Sequence, residues 1–262
     1  YSKRMVSVLT QLQKCRCKSD IFAGKHGFIT LRDLFRWGYR YMKFAAKLDE
    51  SIRFFDWNQF LANQGFMLLA GRVRHNEDVI LIKGILEKIF KCNISVEELF
   101  DMHEEKVESK NIFTNSIVWT KAFKRLGTLL REAIEFEEPI LLIGETGCGK
   151  PTICQYFATK SEKTLKIINC HMNTESSDFL GSLRPNRNAC HGQDEMLFEW
   201  VDGPLVTAMK NGDYFLVDEI SLADDSVLER LNSVLELERT IFLAENNDNF
   251  SINQPNKIIW PI

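Results

Sequence analysis

The chain has 262 residues, 45% of them hydrophobic, and a formal net charge of −3. That length suits one large domain or two smaller ones and suffices to bury a core, while the mild acidity excludes a global electrostatic drive toward nucleic acid or anionic membrane. No apolar run approaches the roughly 18 residues of a membrane span, and the opening YSKRMVSVLTQLQKCRCK is too polar and basic for a signal peptide.

Residues 1–100 read as helical. In ITLRDLFRWGYRYMKFAAKL the apolar residues Leu31, Leu34, Phe35, Tyr39 and Met42 recur at three and four, which predicts an amphipathic helix with that stripe inward. Thr30 is its N-cap, with Asp33 completing an approximate capping box. FDWNQFLANQGFMLLAGRVR predicts a second helix, broken near Gly65. EDVILIKGILEKIFKC predicts a third, and ISVEELF a short fourth capped by Ser95. No strand run interrupts this part, so it reads as a small all-helical domain.

Residues 101–117 are charged, polar and aperiodic, and read as a linker. A helix follows in WTKAFKRLGTLLREAIEF, with Phe123, Leu126, Leu130 and Ile134 on one side. The pattern then changes. PILLIG, from Pro139 to Gly144, is an unbroken apolar run, as expected of a strand buried on both faces. TICQYFATK predicts a helix, LKIINC a second buried strand, GPLVTAMKNG a short helix stopped at Gly212, and DYFLVDE a third strand. SVLERLNSVLELE predicts one helix with Val227, Leu231, Val234 and Leu235 inward. Strand–helix alternation implies an α/β domain with a parallel sheet covered on both faces. The tail from Arg239 is expected to form a hairpin turning at Asn246–Asn249.

The seven cysteines are scattered and odd in number, which suits a reducing compartment better than a disulfide framework. Cys170-His171 and Cys190-His191 form a nominal zinc set, but Cys170 ends the apolar run KIINC and reads better as a core cysteine. The chain begins at Tyr1 rather than Met, so it is expected to be a fragment or a processed chain.

Two stretches carry chemistry. Gly144-Glu145-Thr146-Gly147-Cys148-Gly149-Lys150 matches a phosphate-binding loop, led into by a strand and out of by a helix. The glycines let successive backbone N–H groups turn toward phosphate oxygens, the helix N-terminus adds partial positive charge, and Lys150 reaches the β- and γ-phosphates of ATP. The second stretch is YFLVDE, an apolar strand ending in two carboxylates. Asp218 is the candidate Mg2+ ligand and Glu219 the candidate catalytic residue that orients or deprotonates the attacking water. Alone, such an acidic pair is usually a solvated loop start; the loop upstream gives it meaning.

Pro151 departs from the loop pattern. The usual Ser or Thr offers a hydroxyl to magnesium and an N–H to phosphate, and proline offers neither. It also disfavours helical geometry at Lys150, although the first helical turn tolerates it and the fold is expected to survive. Thr152 keeps both groups but points about 100° away around the helix, which suits the α-phosphate better than the metal. The expectation is weakened magnesium–nucleotide binding and severely impaired hydrolysis.

Beyond these motifs, LLIGETGCGK, INCHMNTESSDFLGSLRP and GPLVTAMKNGDYFLVDEISLADDSVLERLNSVLELERTIFLAE closely resemble the midasin family of dynein-related AAA+ ATPases. GKHGFITLRDLFRWGYRY and GFMLLAGRVR resemble the same family's helical lid. The SDFLGSLRP and SLADDSVLERLNSVLE blocks speak against a dynein or a MoxR-type chaperone. The resemblance implies an α/β AAA+ P-loop domain, with a three-layer parallel sheet, preceded by a small helical lid. Residues 1–100 would be the lid of one module, 101–117 a linker, and 118–262 the large subdomain of the next, truncated at its end. It implies a ring of six modules with nucleotide between neighbours, in a nuclear motor that remodels pre-60S ribosomal particles and releases assembly factors. Neighbouring modules of the same polypeptide are then the partners, with no membrane and no sequence-specific nucleic acid. Arg32 matches the lid's phosphate-sensing arginine, serving the preceding module's nucleotide. Arg230 and Arg239 are candidates for reaching an adjacent module. The family's next strand, with its polar sensor, is not found in FSINQPNKIIWPI, and the module's own lid is also missing. Two functions follow: a working nucleotide module, or a structural ring segment that binds nucleotide statically or not at all.

Overall fold

The computed structural model describes residues 1–18, 30–48, 55–73, 75–101, 117–185, 198–236, 239–243 and 258–261. The chain divides into two compact units, Tyr1–His103 and Glu104–Ile262. Apart from its ends, the stretch expected to be a linker lies outside the described residues.

The first unit consists of α1 (Ser2–Lys18), α2 (Leu31–Lys47), α3 (Trp57–Ala70), α4 (Asn76–Phe90) and α5 (Val96–Phe100). Its core joins Val8 and Leu12 of α1, Leu61 and Phe66 of α3, and Ile82 and Leu86 of α4. The Asp33 carboxylate accepts from the Thr30 backbone N–H at 2.8 Å and from its hydroxyl at 3.0 Å, which starts α2. The same carboxylate pairs with Arg72, just past α3, at 2.8 Å.

Two expectations for this unit are corrected. The helix α3 runs unbroken through Gly65. That glycine is a notch: a Cβ there would stand 2.4 Å from Cζ2 of Trp37, whose indole N–H donates to the Leu61 carbonyl at 3.1 Å. The face that α2 turns inward also differs. Leu31, Phe35 and Met42 are 69%, 74% and 62% exposed, whereas Asp33, Trp37 and Arg40 are buried. Arg40 donates to Gln64 at 2.7 Å. The helix has apolar residues on both sides, and the fit of Trp37 over Gly65 decides which side enters the core.

The second unit begins with α6 (Lys121–Glu135), where the Thr120 hydroxyl accepts from the Phe123 N–H. There follow β1 (Ile140–Leu142), α7 (Lys150–Lys160), β2 (Leu165–Asn169), α8 (Ser176–Leu180), β3 (Gly181–Pro185), β4 (Phe198–Asp202), α9 (Pro204–Asn211) and β5 (Tyr214–Asp218). A 3-10 turn at Ile220–Leu222 leads to α10 (Asp225–Arg230) and α11 (Asn232–Leu235), and β6 covers Ile258–Pro261. The main sheet is parallel in the order β1-β6-β5-β2. Phe215 and Val217 of β5 pack against α9 on one face. Leu216, between them, faces the side where α7 lies against β2, β5 and β6. These are the three layers of an α/β AAA+ fold.

The tail is corrected as well. It does hold a further strand, because β6 inserts between β1 and β5, with Ile259 opposite both Ile140 and Leu216. The hairpin expected at 246–249 lies outside the described residues. The strands at 139–144 and 165–170 are not buried on both faces: Leu141 is 53% and Ile167 51% exposed. They belong to β1 and β2, the two edges of the sheet, and the continuous buried run Tyr214–Val217 falls on interior β5. The single helix expected after Ser226 is two, divided at Leu231, whose N–H bonds to the Leu228 carbonyl only three residues back. Val227, Leu231 and Val234 are buried as expected. The antiparallel pair β3–β4, with Leu183 opposite Trp200, was not anticipated.

Candidate nucleotide-binding site

In a parallel sheet every strand delivers its carboxyl end to the same edge. Gly144 follows β1 and Asp218 ends β5, so the glycine-rich loop and the acidic pair meet at one edge, with β6 between their strands.

The loop turns into α7 through two residues with positive φ, Gly147 at 83° and Gly149 at 84°. Gly149 is the N-cap of α7 and is crowded as well as strained for any side chain. A Cβ there would lie 2.9 Å from Cε2 of Phe123 on α6. Trp119 meets the Phe123 ring edge-on at 5.2 Å and the Tyr156 ring at 5.1 Å. These aromatic residues back the loop and were missed as site residues, because nothing local in the sequence links residue 119 or 123 to 149. Glu145, Thr146, Gly147 and Cys148 are exposed and Gly149 is half-buried, and Cys148 Sγ lies beside Gly144. Lys150 folds across the loop, its Nζ donating to the Gly144 carbonyl at 2.8 Å and the Glu145 carbonyl at 3.2 Å.

Pro151 lies exposed in the first turn of α7. Lys150 is nonetheless the first helical residue, contrary to the displacement expected of it, and the sharp change of direction falls one residue earlier at Gly149. The first full helical bond runs from the Ile153 N–H to the Gly149 carbonyl at 3.0 Å. Proline therefore fits the fold but removes one N–H and one hydroxyl from the rim of the loop. Thr152 is half-buried.

Asp218 is half-buried and Glu219 exposed. The Glu219 N–H donates to Oδ1 of Asp218 at 3.1 Å, and Cys170, at the end of β2, donates its N–H to the Asp218 carbonyl at 2.9 Å. Glu219 adopts a left-handed conformation, φ 53° and ψ 40°, which costs a non-glycine residue on the order of 1 kcal/mol. Strain of this kind, held at the end of a buried strand, turns the second carboxylate out of the strand direction. The position of Asp218 is reported by two thiols. Burial, followed by the Asp218 carboxylate, pushes the Cys154 thiol up to about 12 and raises that of Cys170. Cys154 lies on α7, one turn beyond Lys150, so Asp218 is within electrostatic reach of the helix that the loop begins.

Arg32 belongs to the other unit, exposed in the first turn of α2. Arg230 is exposed at the end of α10. Arg239 is corrected: it is only 6% exposed, and its guanidinium donates to the Glu137 carbonyl in the same unit, so it is turned inward. Cys170 is buried and Cys190-His191 lies outside the described residues. Among the described residues no cluster of three or more His, Cys, Asp or Glu is placed to hold a metal ion, and no helix is long and apolar enough to cross a membrane.

Comparison with known proteins follows the same division. Residues 139–257 match the model of the AAA domain, dynein-related subfamily, and residues 1–93 match that of the midasin AAA lid domain. Midasin of Dictyostelium discoideum is 35% identical over 94% of this chain, and midasin of Giardia intestinalis 33% identical over 89%. The chain spans 5% and 6% of the length of these two relatives. An uncharacterised protein of Staphylococcus aureus is 35% identical over 41% of this chain and 40% of its own length.

Proposed function

The chain belongs to the midasin family of AAA proteins, and from that premise we propose that it is an ATP-binding segment of a ring motor of large-ribosomal-subunit assembly. On this reading residues 1–100 form the lid of one module and 118–262 the large subdomain of the next, joined by 101–117. The partners are neighbouring modules of the same polypeptide, and the motor works in the nucleus on pre-60S particles, from which it releases assembly factors. Support for the ribosomal part comes from the sequence resemblance alone.

The observation that carries nucleotide binding is the shared edge: Lys150 begins α7 beside β1, and Asp218 ends β5 within electrostatic reach of that helix. The residues present fit the phosphates of ATP. Two glycines with positive φ, a helix N-terminus and a lysine already turned over the loop carbonyls supply backbone donors and charge. They fit magnesium less fully, since Asp218 is in place but the loop hydroxyl is replaced by Pro151. Magnesium, when bound, neutralises phosphate charge. Asp218 would hold it, Glu219 would position the attacking water, and Thr152 would help bind the α-phosphate.

A second reading, a ring segment that binds nucleotide without turning it over, is favoured by Pro151. ATP titrations with and without magnesium, on the protein and on Pro151→Thr, test the first. The variant is expected to gain magnesium-dependent affinity, and equal affinity and turnover in both proteins would overturn the assignment of the defect to Pro151. Single-turnover hydrolysis with Glu219→Gln separates the readings, because a static segment loses nothing on that change.

A further inference from the structure

We propose that the glycine-rich loop holds a nucleoside diphosphate in preference to the triphosphate, and holds it without magnesium. This rests on the nucleotide reading above, names the ligand of that site, and requires no turnover.

Hydrogen-bond donors and negative charge are divided unevenly along the site. At the loop, the backbone N–H groups of Gly147, Gly149, Lys150 and Thr152 have no protein acceptor among the described residues. The Lys150 ammonium is bonded to the Gly144 and Glu145 carbonyls, which can turn to water when a phosphate takes the lysine. Donors of this kind, at a glycine-rich turn into a helix, cradle the inner two phosphates of a nucleotide. Pro151 interrupts the row, but Lys150 before it and Thr152 after it keep their N–H groups. The loop therefore retains what a diphosphate needs.

A third phosphate would extend past the loop along the same edge of the sheet, toward the end of β5. There it meets Asp218 and Glu219. Among the described residues neither carboxylate is paired with a lysine, arginine or histidine. The Asp218 side chain accepts only the N–H of its neighbour Glu219. Its negative field reaches Cys154 on α7, so the charge is felt at the helix where the phosphates would sit. Like charges this close repel unless a cation stands between them. In a magnesium-dependent site the metal offsets that repulsion. Here the loop hydroxyl that would share the metal with Asp218 is replaced by Pro151, and among the described residues no three acidic, cysteine or histidine groups converge as ligands. The site thus fits two phosphates well and fits the metal that a third one needs poorly.

Calorimetric titration of the protein with ADP and with ATP, first in EDTA and then in magnesium, tests this. In EDTA, ADP is expected to bind about tenfold more tightly than ATP, the size of effect that one like-charge contact near a protein surface supplies. Magnesium is expected to leave that order in place. Asp218→Asn combined with Glu219→Gln removes both charges at nearly constant volume and should erase most of the preference. Pro151→Thr keeps both carboxylates and restores the hydroxyl, so in magnesium it should raise ATP affinity to that of ADP or above. ATP bound as tightly as ADP in EDTA overturns the proposal. So does a preference that survives removal of both carboxylates, or magnesium that makes the unaltered protein favour ATP. Each of those results leaves the nucleotide reading standing, whereas failure of both nucleotides to bind in either buffer overturns that reading and this inference together.

Discussion

Phe123 lies so close over Gly149 that an added Cβ would fall 2.9 Å from the ring, so a side chain at this glycine requires the ring to shift. The loop is thus shaped from two directions, by its own φ of 84° and by an aromatic residue from α6. Gly149→Ala is expected to cost ~1–2 kcal/mol from the left-handed backbone alone, with the ring clash added. Its ATP affinity should fall at least tenfold. Pairing it with Phe123→Ala relieves the clash and leaves the backbone cost, so the double variant should recover only part of the loss. Full recovery in a binding titration would show that the backbone strain contributes nothing.

Lys150 separates binding from stability. Its ammonium bonds to the Gly144 and Glu145 carbonyls at an exposed site, and those carbonyls are free to turn to water. Lys150→Met should change unfolding free energy by no more than about 0.5 kcal/mol, while ATP affinity collapses. A melting midpoint that falls together with the affinity would contradict this.

Cys154 gives a pH dependence. Burial, then the Asp218 carboxylate, raises its folded pKa to about 12 from the 9.0 of an unperturbed thiol. Because the folded value is the higher one, the contribution is fully present below pH 9 and is lost as pH rises toward 12. Within that window the unfolded chain has released the proton that the folded chain retains. Stability should decline there by at most ~1.4 kcal/mol per pH unit from this thiol. Cys154→Ala should flatten the slope measured by denaturant titration at successive pH values, and an unchanged slope would remove the assignment. At pH 8 an alkylating reagent should modify exposed Cys148 and spare Cys154.

Gly65→Ala sets helix propensity against packing. Alanine favours a helix interior by up to ~1 kcal/mol over glycine. The Cβ would stand 2.4 Å from the fully buried indole of Trp37, and overpacking of that kind costs ~1–3 kcal/mol. Packing should win, with net destabilisation in urea. A stabilised variant would mean that the indole moves aside freely.

What the residues alone determined is what depends on near neighbours in the chain. The glycine-rich loop, the cap at Thr30, the stop at Gly212 and the run Tyr214–Val217 were all legible, because backbone conformation and short-range periodicity carry them. Three matters were decided only by the tertiary structure. The strand β6 pairs with partners distant in the chain, and four residues ending in proline carry no local mark of which strands they will separate. The inward face of α2 was ambiguous because both its sides are apolar, and the choice was made by the fit of Trp37 into the notch at Gly65. The burial of β1 and β2 depended on their lying at the edges of the sheet. In each case the deciding energy is a contact between residues far apart in the chain, which no local pattern encodes.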